Sequence, residues 1–155
     1  MPDSNIKPLY KETLLKAIEN SIGSRIFNSL IVKFQDTGAV KDILNDGEFS
    51  CAFFVSSLLY LFGTVPRTCT TVKSLREMAS DKKWRRISPE EAEAGDVVFW
   101  EKIEFEDGTE NPHVGFALGN DEAVSTNYIK KIIDKHPLSR EDRKVEAIYR
   151  YSWDQ

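Results

Sequence analysis

The sequence predicts an α+β fold in which helices come first and an antiparallel β-sheet follows. Three observations lead to this prediction. The first half of the chain has apolar residues at helical spacing, the second half has short runs of strand-forming residues, and no internal repeat is present. Because runs of helices followed by runs of strands are typical of α+β domains, we expect a meandering antiparallel sheet rather than alternating parallel units.

The length and charge of the chain limit the classes of protein to consider. Its 155 residues fit a single domain over 1–155, large enough to form a core without disulfides. A net charge of −4 and the lack of a dense basic run argue against a nucleic-acid partner. No segment approaches the ~20 apolar residues that span a bilayer, and no apolar stretch of signal-peptide length opens the sequence. We therefore expect a cytoplasmic protein without a membrane partner.

The predicted helices begin with an amphipathic segment over residues 8–22. Its apolar residues recur at helical spacing among charged ones, and Gly23 is a favourable stop. Residues 24–49 are partly apolar but are interrupted by Gly38 and by the turn-forming sequence Asn45-Asp46-Gly47. We expect a mixture of short elements in that region.

A buried central helix is predicted over residues 51–62. The segment CAFFVSSLLYLF is apolar on nearly all sides, with Ser50 placed as an N-cap and Gly63 as a stop. A further short helix is predicted over 71–79, where apolar residues share one face. Strands are predicted over 84–87, 96–103, 113–118, 123–127 and 145–151.

Cys51 is a candidate nucleophile because it stands at the predicted first turn of the central helix. The unpaired N–H groups and the positive dipole at a helix N-terminus stabilise an anion. They can lower the pKa of a cysteine there, and they can stabilise the oxyanion formed when a thiolate attacks a carbonyl. The alternative is a small buried residue of a core helix. Cys69 also precedes a predicted helix but has no histidine motif beside it, so we interpret it as structural and expect both cysteines to be free thiols.

His113 is the candidate base. It opens the run NPHVGFALGND at a predicted strand end, and Gly115 lies on the same face of that strand. The glycine is expected to leave space beside the imidazole for a substrate or a thiol. An exposed loop histidine is the alternative. Since a nucleophilic thiol needs a nearby base, Cys51 and His113 are more convincing as a pair than either is alone.

Two residues compete to orient the imidazole of His113. If the strands join through a three-residue turn between Leu118 and Glu122, both competitors lie on the face of the histidine. Asn127 is then directly opposite His113, and Ser125 is diagonal to it. A register shift of one residue would instead select Thr126 and Tyr128.

A zinc site is the remaining interpretation that uses these side chains. It would require Cys51, Cys69, His113 and His136, but no CxxC or HxxxH pair preorganises two of these ligands. His136 lies in the polar segment DKHPLSRED and is expected at the surface. We therefore expect neither a metal nor a cofactor.

Three segments give the sequence a resemblance to the NlpC-type cell-wall peptidases and the CHAP amidases. They are SCAFFVSSLLYLFG around Cys51, AGDVVFWE over 94–101 and HVGFALGNDEAVS over 113–125, and they lie in the family's order within about half of the chain. The resemblance implies a papain-like fold, with Cys51 as nucleophile, His113 as base and a polar third residue on the following strand. By spacing, that third residue corresponds to Ser125. The family more often has histidine, asparagine or glutamine there, so Asn127 remains a competing candidate.

The function implied by the resemblance is hydrolysis of an amide bond by a cysteine peptidase or amidase through an acyl-enzyme. The expected substrate is a peptide or another amide, with peptidoglycan-derived peptides among the candidates. Two alternatives share the fold. One is a non-catalytic module that binds a peptide or partner, and the other is an acyltransferase in which an amine resolves the acyl-enzyme.

Overall fold

The computed structural model describes residues 5–154 and has the predicted α+β architecture. Within these residues the α-helices are α1 (Tyr10–Ser21), α2 (Cys51–Leu61) and α3 (Val72–Met78). The strands are β1 (Ile31–Lys33), β2 (Val40–Asp42), β3 (Trp84–Ile87), β4 (Val97–Glu104), β5 (Glu110–Gly119), β6 (Glu122–Asn127), β7 (Ile132–Pro137) and β8 (Val145–Tyr151). No helix in the described part of the chain is long and apolar enough to cross a membrane.

The main sheet has the strand order β3-β8-β4-β5-β6-β7, and every neighbouring pair is antiparallel. Strands β4 to β7 form the predicted meander, and β8 returns to lie between β3 and β4. β1 and β2 form a separate hairpin in the region 24–49, where a mixture of short elements was expected. The meander is the part of the fold that carries the predicted base and its candidate partners.

Helix α2 is buried against the sheet, as its apolar sequence predicts. Phe54 is fully buried, and its ring packs edge-on against Phe116 of β5 with 5.6 Å between ring centroids. Ser50 holds the predicted N-cap position, but its backbone is helical there and its hydroxyl accepts no N–H group of the helix; the hydroxyl donates to the carbonyl of Gly47 at 3.0 Å. The N–H groups of the first turn therefore have no side-chain cap and can interact with an anion.

The entry to β4 is fixed by a buried ion pair, which explains the aspartate in the segment AGDVVFWE. Arg150 of β8 donates two hydrogen bonds of 2.8 Å to the carboxylate of Asp96, which is 3% exposed. The same carboxylate accepts the N–H of Glu93 at 2.7 Å. These bonds join the start of β4 to its neighbour β8.

Two sequence-based expectations for the meander are corrected. Strand β5 begins at Glu110, so His113 lies inside the strand rather than at its end. The polar segment DKHPLSRED, expected at the surface, begins inside a strand instead, because Ile132–Pro137 form β7. β7 is an edge strand, where only one side of the backbone needs pairing and solvent-facing polar residues are tolerated, so a strand with few apolar residues was not recognised.

Candidate active site

The Cys51 thiol lies at the N-terminus of α2 and is partly buried. Burial raises its pKa, and the N–H groups of Val114 and Ala52 act in the opposite direction because they stabilise a negative sulfur. The net pKa is raised, so the neutral thiol is the resting form at neutral pH. Cys69 is buried, and its thiol contacts the carbonyl of Thr71 at 3.6 Å. Both cysteines are free, and only Cys51 lies beside His113 and its neighbours.

His113 is buried in β5, one residue before Val114, whose N–H group favours a negative charge on the Cys51 sulfur. Cys51 and His113 both line a cleft of about 400 Å³, which lies between the N-terminus of α2 and the first residues of β5. Cys51 and His113 both lie in the described part of the chain, and no direct hydrogen bond joins the thiol to the imidazole. Burial lowers the pKa of His113 well below 6.5, with a further contribution from the nearby Arg143 cation. The pair therefore rests as neutral thiol and neutral imidazole.

The hairpin between β5 and β6 differs from the predicted one at its tip. Gly119, not Leu118, pairs with Glu122, and the intervening Asn120 and Asp121 both have positive φ angles of 52° and 58°. These angles are those of a two-residue type I′ turn, so the predicted three-residue turn is wrong. A bulge at Leu118 absorbs the extra residue.

Beyond the bulge, the register returns to the one predicted for the site. Phe116 pairs with Val124 and Ala117 with Ala123. Continuing this register sets Gly115 opposite Ser125 and leaves Ser125 diagonal to His113. The shifted register, which would have selected Thr126 and Tyr128, does not occur.

Ser125, rather than Asn127, contacts the imidazole. The hydroxyl of Ser125 lies 2.8 Å from Nε2 of His113, and both residues are buried. The Asn127 side chain is bonded elsewhere: its amide donates to Asp134 at 3.2 Å, and its carbonyl accepts the N–H groups of Ile129 and Lys130 at 3.0 Å. Asn127 thus shapes the turn between β6 and β7 and does not orient His113.

The expectation that Gly115 leaves space for a substrate or thiol is wrong, because β6 occupies that space. A Cβ atom at Gly115 would lie 2.3 Å from the carbonyl oxygen of Val124 and 2.8 Å from Cβ of Ser125. The glycine therefore allows β6 to approach β5 closely enough for the Ser125 hydroxyl to reach His113.

His136 is not the surface residue that its polar surroundings suggested. It lies half-buried on β7, and its Nε2 atom is 2.7 Å from the Ser125 hydroxyl. The indole ring of Trp100 packs against both imidazoles, with centroid distances of 5.5 Å to His113 and 5.4 Å to His136. Recognising β7 as a strand would have revealed this residue, because its pairing with β6 places His136 diagonal to Ser125.

Arg143 is a second site residue that sequence reasoning missed. Arg143 stands in a polar stretch of the sequence, yet the residue is only 4% exposed. Its Nη1 atom is buried and has no hydrogen-bond partner. Burial lowers its pKa, and the nearby Arg140 cation lowers it further. Its charge favours a thiolate at Cys51 and disfavours an imidazolium at His113. No sequence pattern marks this residue, since its burial depends on tertiary packing alone.

Comparison with known proteins identifies similar solved structures. A crystal structure from Staphylococcus aureus subsp. aureus Mu50, described as similar to a lipoprotein of the NLP/P60 family, matches 99% of this chain at 16% identity with a TM-score of 0.58. The peptidoglycan hydrolase RipB of Mycobacterium tuberculosis matches 95% of this chain and 69% of its own length at 18% identity, with a TM-score of 0.48. No protein-family model and no curated protein matches the sequence.

The first of these structures is considerably longer than the present chain, which covers 46% of it. At 16% identity the likeness concerns the arrangement of helices and strands. It agrees with the helix-on-sheet architecture that the resemblance in sequence implied. The chain therefore has the papain-like α+β fold of the NLP/P60 family structure.

Proposed function

We propose that this protein hydrolyses an amide bond with Cys51 as nucleophile and His113 as general base. The observation that carries the proposal is the shared cleft, in which a thiol at an uncapped helix N-terminus lies beside a buried histidine whose Nε2 is bonded by Ser125. Because Nε2 is engaged by the serine, Nδ1 is the ring nitrogen left to accept the thiol proton.

The reaction begins from the neutral pair. As the Cys51 sulfur attacks the substrate carbonyl, His113 Nδ1 takes the thiol proton and the carbonyl π electrons move to oxygen. The tetrahedral intermediate then collapses, the C–N bond breaks, and the imidazolium returns the proton to the leaving amine. Water, deprotonated by the same nitrogen, attacks the thioester and releases the acid and the free thiol.

Backbone groups at the α2 N-terminus would stabilise the oxyanion of this intermediate. The N–H groups of Cys51 and Ala52 lie in the first turn, where no intrahelical acceptor exists, and Ser50 does not cap them. Val114 adds a third N–H group near the sulfur from the strand side. Arg143 contributes a buried positive charge to the same region and so favours negative charge on sulfur.

Site-resolved alkylation tests the nucleophile and its base without knowledge of the substrate. Iodoacetamide at about pH 6 should label Cys51 faster than Cys69, which is buried and serves as the reference thiol in the same chain. The preference should disappear in His113→Ala. Equal slow labelling of both cysteines in the unmodified protein would contradict the proposal and favour a binding module.

Turnover is then tested with short peptides and with purified peptidoglycan fragments in water enriched in heavy oxygen. Hydrolysis places the heavy oxygen in the new carboxylate, whereas an acyltransferase with an amine acceptor forms an amide without it. Cys51→Ala should abolish the product and retain the circular dichroism spectrum of the folded protein. Full activity of Cys51→Ala would exclude the thiol mechanism.

A further inference from the structure

A continuous line of hydrogen bonds crosses three strands behind the proposed base. It runs from His113 Nε2 to the Ser125 hydroxyl at 2.8 Å, and from that hydroxyl to His136 Nε2 at 2.7 Å. It ends where His136 Nδ1 meets the backbone carbonyl of Pro137 at 2.8 Å. The last partner matters most, because a carbonyl oxygen accepts hydrogen bonds and never donates them.

The Pro137 carbonyl fixes the direction of every bond in this line. His136 Nδ1 must carry the proton that it donates, so Nε2 of a neutral His136 is an acceptor. The single hydroxyl proton of Ser125 is therefore donated to His136. The serine oxygen then accepts from His113, which places the His113 proton on Nε2 and leaves the lone pair on Nδ1.

We propose that His136 is a positioning residue that sets the tautomer of His113 through Ser125, so that Nδ1 of His113 is the basic nitrogen. This inference rests on the proposed function, in which that nitrogen takes the Cys51 proton. Ser125 thus acts as a link between two histidines rather than as the final member of the site. Trp100 supports the arrangement, because its fully buried ring packs on both imidazoles.

The same line makes the basic nitrogen depend on the protonation of His136. A protonated His136 donates from both nitrogens, so its Nε2 would donate to Ser125. The hydroxyl would then turn and donate to His113 Nε2, which moves the His113 proton to Nδ1 and removes the base. Burial lowers the pKa of His136, which preserves the working arrangement at neutral pH. Besides His113, the titratable and charged side chains around His136 are Asp134, Arg140, Asp142 and Arg143.

Nitrogen NMR of the untagged 155-residue chain tests the tautomers directly. The sequence has only two histidines, so the imidazole region of the spectrum contains only His113 and His136. At neutral pH we expect His136 as the Nδ1–H tautomer and His113 as the Nε2–H tautomer. On acidification, protonation of His136 should be accompanied by transfer of the His113 proton from Nε2 to Nδ1. A predominantly Nε2–H tautomer of His136 at neutral pH would overturn the proposal.

Two substitutions at position 136 form a matched pair. His136→Phe keeps a ring against Trp100 but removes the acceptor, so His113 should become a mixture of tautomers and alkylation of Cys51 should slow by roughly tenfold. His136→Gln restores an acceptor near the position of Nε2 but cannot titrate. It should retain the His113 tautomer and most of the reactivity, and it should lose the acid-induced proton transfer.

These outcomes separate the inference from the proposed function. If the tautomers are as expected but no amide is hydrolysed, the function is wrong and the line of hydrogen bonds stands. If Cys51 is a working nucleophile and His136→Phe changes neither its alkylation nor the His113 tautomer, the positioning role is wrong. The tautomers of the unmodified protein decide the inference even if His136→Phe fails to fold.

Discussion

Gly115→Ala is the substitution that most directly tests how the site is built. The added Cβ would lie 2.3 Å from the Val124 carbonyl oxygen, about 1 Å inside ordinary van der Waals contact. Because the obstacle is backbone, β6 must move away from β5 by a similar distance. The 2.8 Å contact between Ser125 and His113 would then lengthen to about 3.8 Å, which is too long for a hydrogen bond.

Two measurements follow from that displacement. We expect the free energy of unfolding in urea to fall by about 1–3 kcal/mol, as for other overpacked interiors. We also expect alkylation of Cys51 in the folded protein to slow as much as in Ser125→Ala, which removes the same hydrogen bond without a clash. Both effects should accompany a mixed tautomer of His113.

A control must separate loss of stability from loss of the site. Gly38→Ala meets no atom within 4 Å, but its φ of 70° is unfavourable for alanine. It should lower stability by about 1 kcal/mol and leave the alkylation of Cys51 unchanged. The reasoning about strand approach is refuted if folded Gly115→Ala retains the original His113 tautomer and the original alkylation rate.

Three further predictions concern individual side chains. Ser125→Ala should slow the alkylation of Cys51. Asn127→Ala should leave the alkylation rate unchanged and lower the unfolding free energy by about 1 kcal/mol, because turn hydrogen bonds are lost. Slower alkylation in Asn127→Ala but not in Ser125→Ala would make Asn127 the orienting residue. Arg143→Met removes a buried charge that favours the thiolate, so the pH profile of Cys51 alkylation should move to higher pH, and an unmoved profile would exclude that electrostatic role. His113 stays neutral in the folded state while the unfolded state binds a proton near pH 6.5, so folding stability decreases as pH falls below that value, by about 1.4 kcal/mol per pH unit for this group. His113→Gln should flatten the pH dependence of urea unfolding by that slope, and an unchanged slope would show that His113 titrates normally in the folded protein.

The sequence allowed prediction of those features that depend on local pattern. The apolar run after Ser50 identified α2, and strand-forming runs identified β3 and β8 with their observed bounds. The register that places Ser125 near His113 was also predictable, although the turn that produces it is different. A type I′ turn with a bulge and a three-residue turn give the same pairing beyond Ala117, so the error at the tip did not reach the site.

The features that were missed depend on what surrounds a residue rather than on its own segment. His136 and Arg143 stand in polar stretches, where the sequence gives no sign that neighbouring strands and loops will bury them. Ser50 does hold the N-cap position, but its helical backbone angles leave its hydroxyl bonded to the preceding turn and not to a helix N–H group. Gly115 was correctly singled out, but whether missing bulk admits a ligand or a neighbouring strand is decided by the position of β6.

The nucleophile and the base of this site differ in how their positions are determined. Cys51 is positioned by the end of one helix, whereas His113, Ser125 and His136 lie on three neighbouring strands and meet only in one register. A slip of one residue in either hairpin would turn one of these side chains to the other face of the sheet. Asn127 has a local role by comparison, since its side chain accepts two backbone N–H groups in the turn that joins β6 and β7. The register along β6 and β7 brings His136 within reach of Ser125, so the strand pairing as a whole, rather than a single turn residue, completes the line of hydrogen bonds.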